Sequence, residues 1–368
     1  SVLVRPGVAH QLTNPGAEDL VLIEVSLGEL APARQDGDLQ EMPQSGDGRE
    51  MAADPILRLE PVFKDNLWGG TALRDRYGKH CDYDVIAESW ELSAHEAGQS
   101  LVASGPARGM PFGEYLARIG RGRWGWKCQA QERFPLLIKL IDARKDLSIQ
   151  VHPGDEYALA RENEYGKNEM WYIMDCQPGA RLYCGFSQPV SKEEVAARVK
   201  DGTLTQVLNE VPVHKGQVVF IPAGMVHAIG AGILLCEVQQ SSNVTYRLYD
   251  YGRKDRYGQL RQLHLEKALD VLDTTARPQI LEARENEEGR ARLCACKYFS
   301  VERQRVCGKT ALAGDDASFT ALMFLEGHGT VQAEDTTLPW KSADCFFVPA
   351  GRRPILLEGE GTLLVVRL

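Results

Sequence analysis

One segment of the sequence has a spacing that could place a metal ligand inside a β protein. It runs from Gly216 to His227 and reads Gly, five residues, then Pro-x-Gly-x-x-His. Residues 218–221 have the composition of a buried strand, and Pro222-Ala223-Gly224 has that of a turn. We therefore predict that His227 enters the next strand with its imidazole, a common metal ligand, pointing inward.

A second segment, Ser148-Ile149-Gln150-Val151-His152-Pro153, offers further donors. Side chains alternate along a strand, so Ser148, Gln150 and His152 would share one face. The carboxylate candidate is Glu169. We predict that Gln150, His152, Glu169 and His227 bind one divalent metal. Zn²⁺ suits this set and keeps a position for water or substrate, while Fe²⁺ also accepts two histidines and a carboxylate, so the residue types alone leave the metal open.

Composition excludes several classes of protein. The chain has 368 residues, of which 43% are hydrophobic and 25% charged, as in ordinary globular proteins of one to three domains. A net charge of −9 argues against a broad nucleic-acid surface. We find no apolar run near the ~18 residues of a membrane span and no secretory signal. The nine cysteines lack paired CxxC spacing and indicate reduced thiols in a cytoplasmic protein.

Short strand-like runs separated by glycine and proline turns dominate from Pro55 onward. Helical patterns occur only at 112–119, 155–164 and 192–200, and Ser191 with Glu194 forms a capping box before the last of these. Many short strands favour a sandwich or barrel over an α/β sheet. The predicted strands are 56–63, 85–92, 136–141, 147–151, 170–174, 181–184, 218–221, 233–238 and 244–249, followed by a β-rich block at 298–368.

Several motifs occur together in a fixed order. They are Asn66-Leu67-Trp68-Gly69-Gly70, Glu88-Ser89-Trp90-Glu91, the run 135–143, the run 148–153, Gly166-Lys167-Asn168-Glu169 and Tyr246-Arg247-Leu248-Tyr249-Asp250. With the segment 216–227, they make residues 55–368 resemble the short bacterial form of type I mannose-6-phosphate isomerase, in the cupin superfamily. The resemblance implies a mainly β bicupin, with two jelly-roll-like β-barrels and a few short helices.

The same resemblance implies a function and a set of site residues. The activity would be that of a zinc-dependent aldose–ketose isomerase, which interconverts D-mannose 6-phosphate and D-fructose 6-phosphate through an enediol. The family's ligands for one Zn²⁺ fall on His152, Glu169 and His227, with Gln150 as the additional ligand. Its active-site arginine falls on Arg247. The implied partner is a small sugar phosphate, and we expect a monomer or homodimer that binds neither nucleic acid nor membrane.

The expected chemistry assigns roles to charged residues near the motifs. Isomerisation needs an electrophile for developing negative charge and a base for the moving proton. Arg247 suits an enediolate oxygen or a phosphate, and the alternative is a structural salt bridge to Asp250. Lys167 shares the strand face of Glu169 if that strand is regular, and it could bind phosphate or shuttle a proton. The base is not readable from the sequence, and Lys167 and Asp250 are hypotheses for it.

Four more residues are predicted to contact the substrate. Lys139 is a cation in an apolar strand, which is costly unless it faces a site. Ser148 lies on the predicted ligand face and is a candidate phosphate contact. Trp68 and Trp90 are candidates for lining the pocket, although aromatic core packing explains them equally well.

The sequence also suggests a division into four segments. We predict a partial cupin-like strand segment at 1–30, a linker at 31–54, a catalytic metal-binding cupin with helical inserts at 55–275, and a degenerate cupin at 276–368. The last repeats Pro349-Ala350-Gly351 but has Pro354 where His227 stands, so we expect a structural role. Segment 1–30 resembles the closing end of the cupin in type II isomerase/guanylyltransferase enzymes. It would pair with the main body or another chain, or be poorly ordered.

Two other functions compete with the isomerase. A non-catalytic sugar-phosphate-binding cupin, acting as a sensor or scaffold, would keep the pocket and lose the catalytic arginine, so the presence of Arg247 counts against it. An iron-dependent cupin oxygenase is disfavoured by Gln150 in place of the first histidine. Metal analysis and oxygen uptake would separate it from the isomerase.

Overall fold

The computed structural model describes residues 51–255, 258–282 and 284–368. These residues fall in one compact unit that spans 49–368. The predicted segment 1–30 and most of the predicted linker 31–54 lie outside the described residues. The described end of that linker is bound to the main body, since the backbone N–H of Asp54 donates to the Tyr115 hydroxyl at 2.9 Å.

Strands account for most of the regular structure, as the sequence predicts. They are β1 Leu57–Glu60, β2 Val62–Lys64, β3 Glu88–Leu92, β4 Ala94–His95, β5 Gly98–Gln99, β6 Leu101–Val102, β7 Leu136–Ala143, β8 Ile149–Val151, β9 Glu169–Cys176, β10 Arg181–Phe186, β11 Leu208–Pro212, β12 Val218–Ile221, β13 His227–Ile229, β14 Ile233–Gln240, β15 Tyr246–Tyr249, β16 Gln279–Leu281, β17 Arg290–Ala295, β18 Ser300–Leu312, β19 Thr320–Ala333, β20 Thr336–Lys341, β21 Cys345–Val348 and β22 Ile355–Arg367.

Helices are few and short. They are α1 Ala72–Tyr77, α2 Phe112–Ile119, α3 Asp155–Glu162, α4 Lys192–Asp201 and α5 Leu265–Val271, with 3₁₀ turns at Arg121–Trp124, Trp126–Cys128 and Leu204–Val207. The predicted capping box is present, because the Ser191 hydroxyl accepts a hydrogen bond from the Glu194 N–H at 3.2 Å. Helices α1 and α5 are not among the predicted elements. None of the helices in the described ranges has the length and hydropathy needed to cross a membrane.

Two facing sheets enclose the region of the predicted ligands. A seven-stranded sheet has the order β16-β12-β9-β14-β7-β3-β2, and a five-stranded sheet has the order β11-β10-β13-β8-β15. The buried side chains of Ile141, Leu235, Leu182 and Ile229 pack between them. The mainly β jelly-roll prediction is confirmed, although within the described ranges the sheets remain open at their edges and do not close into hydrogen-bonded barrels.

The central strands of the seven-stranded sheet are apolar on both faces. In β7, Leu136, Ile138 and Leu140 point to the outer face, while Ile141 and Ala143 point to the space between the two sheets. The outer face is covered by an eight-stranded sheet of order β17-β18-β22-β19-β21-β1-β6, with β20 on β19. Burial on both faces explains why the sequence of β7 reads as an almost continuous hydrophobic run.

Strand pairing crosses both predicted domain boundaries. Strands β1 and β6 precede the segments of the predicted ligands but belong to the eight-stranded sheet, and β16 follows residue 275 but pairs with β12. The two sheet systems therefore exchange strands at both ends of the predicted catalytic domain. The boundaries at 54/55 and 275/276 stay a prediction. All nine cysteines lie in the described ranges as free thiols, in line with the expected reduced state.

A buried ion pair joins three parts of the fold. Lys79, which follows α1, donates to Glu91 of β3 at 2.8 Å and to the carbonyl of Ala343, before β21, at 2.7 Å. The Glu91 side chain is 0% exposed and that of Lys79 11%. Burial raises the pKa of Glu91 although Lys79 and Ser89 oppose this effect. The pair ties the eight-stranded sheet to the strand that carries Trp90.

We expect Lys79→Met to destabilise the protein strongly, because it leaves the Glu91 carboxylate buried and unpaired. The free energy of unfolding should fall by about 3–5 kcal/mol in urea denaturation. The matched control is Arg352→Met, which breaks the exposed pair of Arg352 with Asp316 and should cost below about 1 kcal/mol. Adding Glu91→Gln to Lys79→Met should recover much of the loss. Equal stabilities of the two single variants would contradict a stabilising role of the Lys79–Glu91 pair.

Candidate active site and metal centre

The five-stranded sheet contributes one row of functional side chains. Cys184 of β10, His227 of β13, Gln150 of β8 and Arg247 of β15 are successive cross-strand partners in the register of the sheet. Directly opposed residues project from the same face of a sheet. The turn at Pro222-Ala223-Gly224 and the register of β13 therefore bring His227 beside Gln150, and Gln150 beside Arg247.

The seven-stranded sheet contributes a second row. Trp90 of β3 opposes Lys139 of β7, Lys139 opposes Glu237 of β14, and Glu237 opposes Trp171 of β9. Glu169 lies two residues before Trp171 and so shares its face. The two rows line the space between the sheets, and the predicted ligands meet there.

Three of the four predicted metal ligands form one buried cluster. His152 Nε2 lies 3.2 Å from His227 Nε2 and 3.3 Å from Glu169 Oε1, and His227 Nε2 lies 3.6 Å from Glu169 Oε2. One ligand atom from each residue falls within 4.8 Å of the others. Each residue is about 1% exposed.

The donor set fits a divalent cation. His227 Nδ1 donates to the Met225 carbonyl at 2.8 Å, which leaves the Nε2 lone pair directed at the cluster. Burial lowers the pKa of His227, and burial followed by the Lys167 charge lowers the pKa of His152 to about 3, so both imidazoles are neutral, as ligands must be. Glu169 Oε2 has no hydrogen-bond partner in the described chain. A bound cation would satisfy that oxygen.

Gln150 adjoins the cluster. Its Nε2 atom lies 3.4 Å from His227 Nε2, and its Oε1 atom accepts from the Ser148 hydroxyl at 3.4 Å. A half-turn of the amide would direct the oxygen toward the cluster, because the two amide atoms exchange places. The position thus agrees with a fourth ligand, and that role stays a prediction.

Lys167 reaches the same cluster from just before β9. Its ammonium lies 2.6 Å from Glu169 Oε1 and 3.0 Å from His152 Nε2. From the sequence, Lys167 shares the face of Glu169 only if one regular strand includes both residues, and β9 begins at Glu169. The Lys167 ammonium therefore compensates part of the charge of the buried Glu169 carboxylate.

A cleft of about 440 Å³ opens beside the cluster. The predicted substrate contacts Trp68, Trp90, Lys139 and Ser148 all line it, and Trp68 and Trp90 are also almost fully buried, so each tryptophan belongs both to the core and to the cleft. The remaining walls are Lys64, Asp65, Asn66, Glu88, Ile141, Leu147, Gln150, Lys167, Trp171, Ile229, Glu237, Asn243, Thr245, Arg247 and Arg261.

Lys139 is held between two carboxylates on the cleft wall. Its ammonium lies 3.4 Å from Glu88 Oε2 and 3.3 Å from Glu237 Oε1. Trp90 Nε1 donates to Glu88 at 2.7 Å, and Trp171 Nε1 donates to Glu237 at 3.0 Å. Burial opposes the charge of Lys139, yet the two carboxylates raise its pKa above the usual value. The ammonium is therefore a fixed cation.

The two carboxylates beside Lys139 differ in basicity. Burial would raise the pKa of Glu88, but Lys139 and the Trp90 N–H hold it below its usual value. The pKa of Glu237 is raised, first by burial and then by the charge of Glu169. Glu237 is not among the residues predicted from the sequence, although a charge in the apolar strand Ile233–Gln240 is the same signal that identifies Lys139. Arg261, which also lines the cleft, has no such signal.

Arg247 does not form the salt bridge that the sequence analysis keeps as its alternative. It donates from Nε to Ser148 Oγ at 3.3 Å and from Nη1 to the Gln262 carbonyl at 2.9 Å. Asp250 instead accepts from Arg261, at 2.6 Å from Nε and 2.5 Å from Nη2, and from Arg253. Burial lowers the pKa of Arg247. The carboxylate of Asp250 is thus engaged by two guanidinium groups and does not line the cleft; its role as a base stays a prediction.

Two family models match the chain. The model described as phosphomannose isomerase type I, catalytic domain, matches residues 56–177. The model described as mannose-6-phosphate isomerase, cupin domain, matches residues 291–368. Both matches lie within the span 55–368 over which the sequence motifs show the resemblance.

Relatives and solved structures agree with these matches. Mannose-6-phosphate isomerase ManA of Bacillus subtilis is 39% identical over 86% of this chain and 100% of its own length. Mannose-6-phosphate isomerase of Streptococcus mutans is 35% identical over 84% and 96%. The crystal structure of mannose 6-phosphate isomerase from Bacillus subtilis superposes with a TM-score of 0.79 at 36% identity, covering 86% of this chain and 100% of that one. The chain therefore belongs to the type I phosphomannose isomerase family.

Proposed function

We propose that the protein interconverts D-mannose 6-phosphate and D-fructose 6-phosphate with the help of one Zn²⁺. The observation that carries this proposal is the buried His152–Glu169–His227 cluster beside a cleft lined by fixed cations. The printed names of the relatives, mannose-6-phosphate isomerases, support the choice of substrate. A polar cleft of about 440 Å³ is large enough for a hexose phosphate.

In this proposal His152, Glu169 and His227 hold the metal, and Gln150 adds an amide oxygen. Two imidazoles and a carboxylate suit Zn²⁺ and keep a position open. The ion would polarise the sugar carbonyl and orient the neighbouring hydroxyl. Glu169 also keeps Lys167 in place, so the lysine presents a second positive charge beside the reacting oxygens.

The proton acceptor that the geometry favours is Glu237. It lines the cleft, its pKa is raised, and its Oε1 atom faces the Lys139 ammonium at 3.3 Å. A carboxylate with raised basicity is suited to removing the proton from C2 of the sugar and returning it to C1. A second proton moves between the two oxygens, and Lys167 is the group that we assign to it. The Lys139 ammonium compensates the negative charge of Glu237 while that carboxylate is ionised.

In this proposal Arg247 stabilises the negative charge that develops on the substrate. Its guanidinium is always charged, and Arg247 lies beside Gln150 on the adjacent strand, close to the cluster of candidate ligands. We assign it to the enediolate oxygen, and we assign Ser148 and Arg261 to the phosphate. Asp250 then holds Arg261 in orientation instead of acting as the base.

We expect turnover to depend on the metal. The protein should convert mannose 6-phosphate to fructose 6-phosphate in a coupled assay. The conversion should stop after chelation and return on addition of Zn²⁺. His227→Ala should lose both bound metal and activity, because it removes a ligand from the cluster. His328→Ala is the matched control, since His328 is exposed in the eight-stranded sheet, and it should keep both.

A folded, zinc-loaded protein without turnover would contradict the isomerase and leave the sugar-phosphate-binding module. Recovery with Fe²⁺ and consumption of oxygen would instead indicate an oxygenase.

Arg247→Ala should keep the metal and slow the reaction. Loss of a group that stabilises the developing oxyanion costs about 100-fold or more in kcat. Metal content measured alongside the assay separates this effect from damage to the cluster. Normal turnover by the metal-loaded variant would exclude the assigned role.

Glu237→Gln should lower kcat by about 10²–10⁴-fold if the carboxylate accepts the proton. The matched comparison is Asp250→Asn, which removes the carboxylate that holds Arg261 and should affect KM more than kcat. Zinc content and circular dichroism spectra of both variants establish that the site is intact. The opposite ranking of the two kcat values would transfer the role of base to Asp250.

A further inference from the structure

A series of hydrogen-bonded side chains runs behind the cluster of His152, Glu169 and His227. At its centre is Gln240, at the end of β14 and 3% exposed. Its Oε1 atom accepts from the backbone N–H of Asn168 at 3.1 Å and from Asn168 Nδ2 at 2.7 Å, and its Nε2 atom donates to Asp155 Oδ1 at 2.8 Å. Both polar atoms of this buried amide are thus fixed by partners.

Asn168 connects that amide to two ligand-bearing segments. It lies between Lys167 and Glu169, and its Oδ1 atom accepts from the backbone N–H of Ala223 at 3.0 Å. Ala223 is in the turn that leads into His227. The next residue of the turn, Gly224, donates from its backbone to the carbonyl of His152 at 2.8 Å. All three ligand-bearing segments are therefore joined through one turn and one asparagine.

The outer end of this series fixes the segment that precedes Lys167. Asp155 Oδ1 accepts from the backbone N–H of Gly166 at 2.9 Å as well as from Gln240. Asp155 therefore ties the start of α3 both to the residue before Lys167 and to the end of β14.

We infer that Asp155, Gln240 and Asn168 form an amide relay that positions the metal ligands. The inference rests on the metal site of the proposed function. None of the three residues lines the cleft or belongs to the ligand cluster, so each acts through another residue. Hydrogen bonds behind the ligands fix their orientation, and loss of such partners weakens metal binding.

The decisive variant is Gln240→Glu, because positioning and simple electrostatics predict opposite results. The new carboxylate would keep the acceptor for Asn168 but face the Asp155 carboxylate in place of a donor. An added negative charge near the site would by itself strengthen cation binding. Broken positioning would weaken it, by about 10–100-fold in Zn²⁺ affinity.

The measurement is the dissociation constant of Zn²⁺ for the metal-free full chain, by competition with a chromophoric chelator. We expect weaker binding in Gln240→Glu and in the uncharged variant Gln240→Met, with kcat at saturating Zn²⁺ within a few-fold of the wild type. Unchanged affinity in folded variants, checked by circular dichroism, would overturn the relay and leave Gln240 a structural residue.

A wild-type protein that binds no Zn²⁺ would refute the proposed metal site itself.

Discussion

The site depends on a carboxylate buried among neutral imidazoles. Glu169 is about 1% exposed, and water cannot compensate its charge. Lys167 supplies one positive neighbour at 2.6 Å. His152 and His227 converge on the same carboxylate, and the three residues could hold a metal ion as a second positive neighbour. Such an arrangement is stable only if every partner is held in place, because a buried charge that loses its partner costs several kcal/mol. The surrounding structure is organised to prevent that loss.

Sheet register is what holds these partners. The rows Cys184–His227–Gln150–Arg247 and Trp90–Lys139–Glu237–Trp171 lie on facing sheets, and each residue is fixed by its cross-strand neighbours. A slip of one residue in any strand would move its side chain to the opposite face. The apolar residues on either side of Lys139 and Glu237 make such a slip costly, so the hydrophobic core sets the position of the polar groups.

Local spacing in the sequence predicts the parts of the site that lie within one segment. The turn before His227 and the alternation of Gln150 with His152 are examples. It does not reveal which strands pair. The charge of Glu237 within an apolar strand is visible in the sequence, but its position opposite Lys139 on the adjacent strand is not. The alternative salt bridge of Arg247 with Asp250 is wrong for a related reason. Residues three apart on a strand point to opposite faces, and Asp250 lies past the end of β15, where Arg253 and Arg261 take its carboxylate.

The eight-stranded sheet has a physical reason to be retained without ligands of its own. Strands β7, β9 and β14 are apolar on both faces, and the outer face must be covered: Met323, Phe347 and Leu364 pack in the same cluster as Leu136 and Met170. A polar link crosses the same boundary, from Lys79 to the carbonyl of Ala343. Apolar coverage alone would allow the sheets to slide. The directional link fixes their relative position, and through Glu91 of β3 that position reaches Trp90.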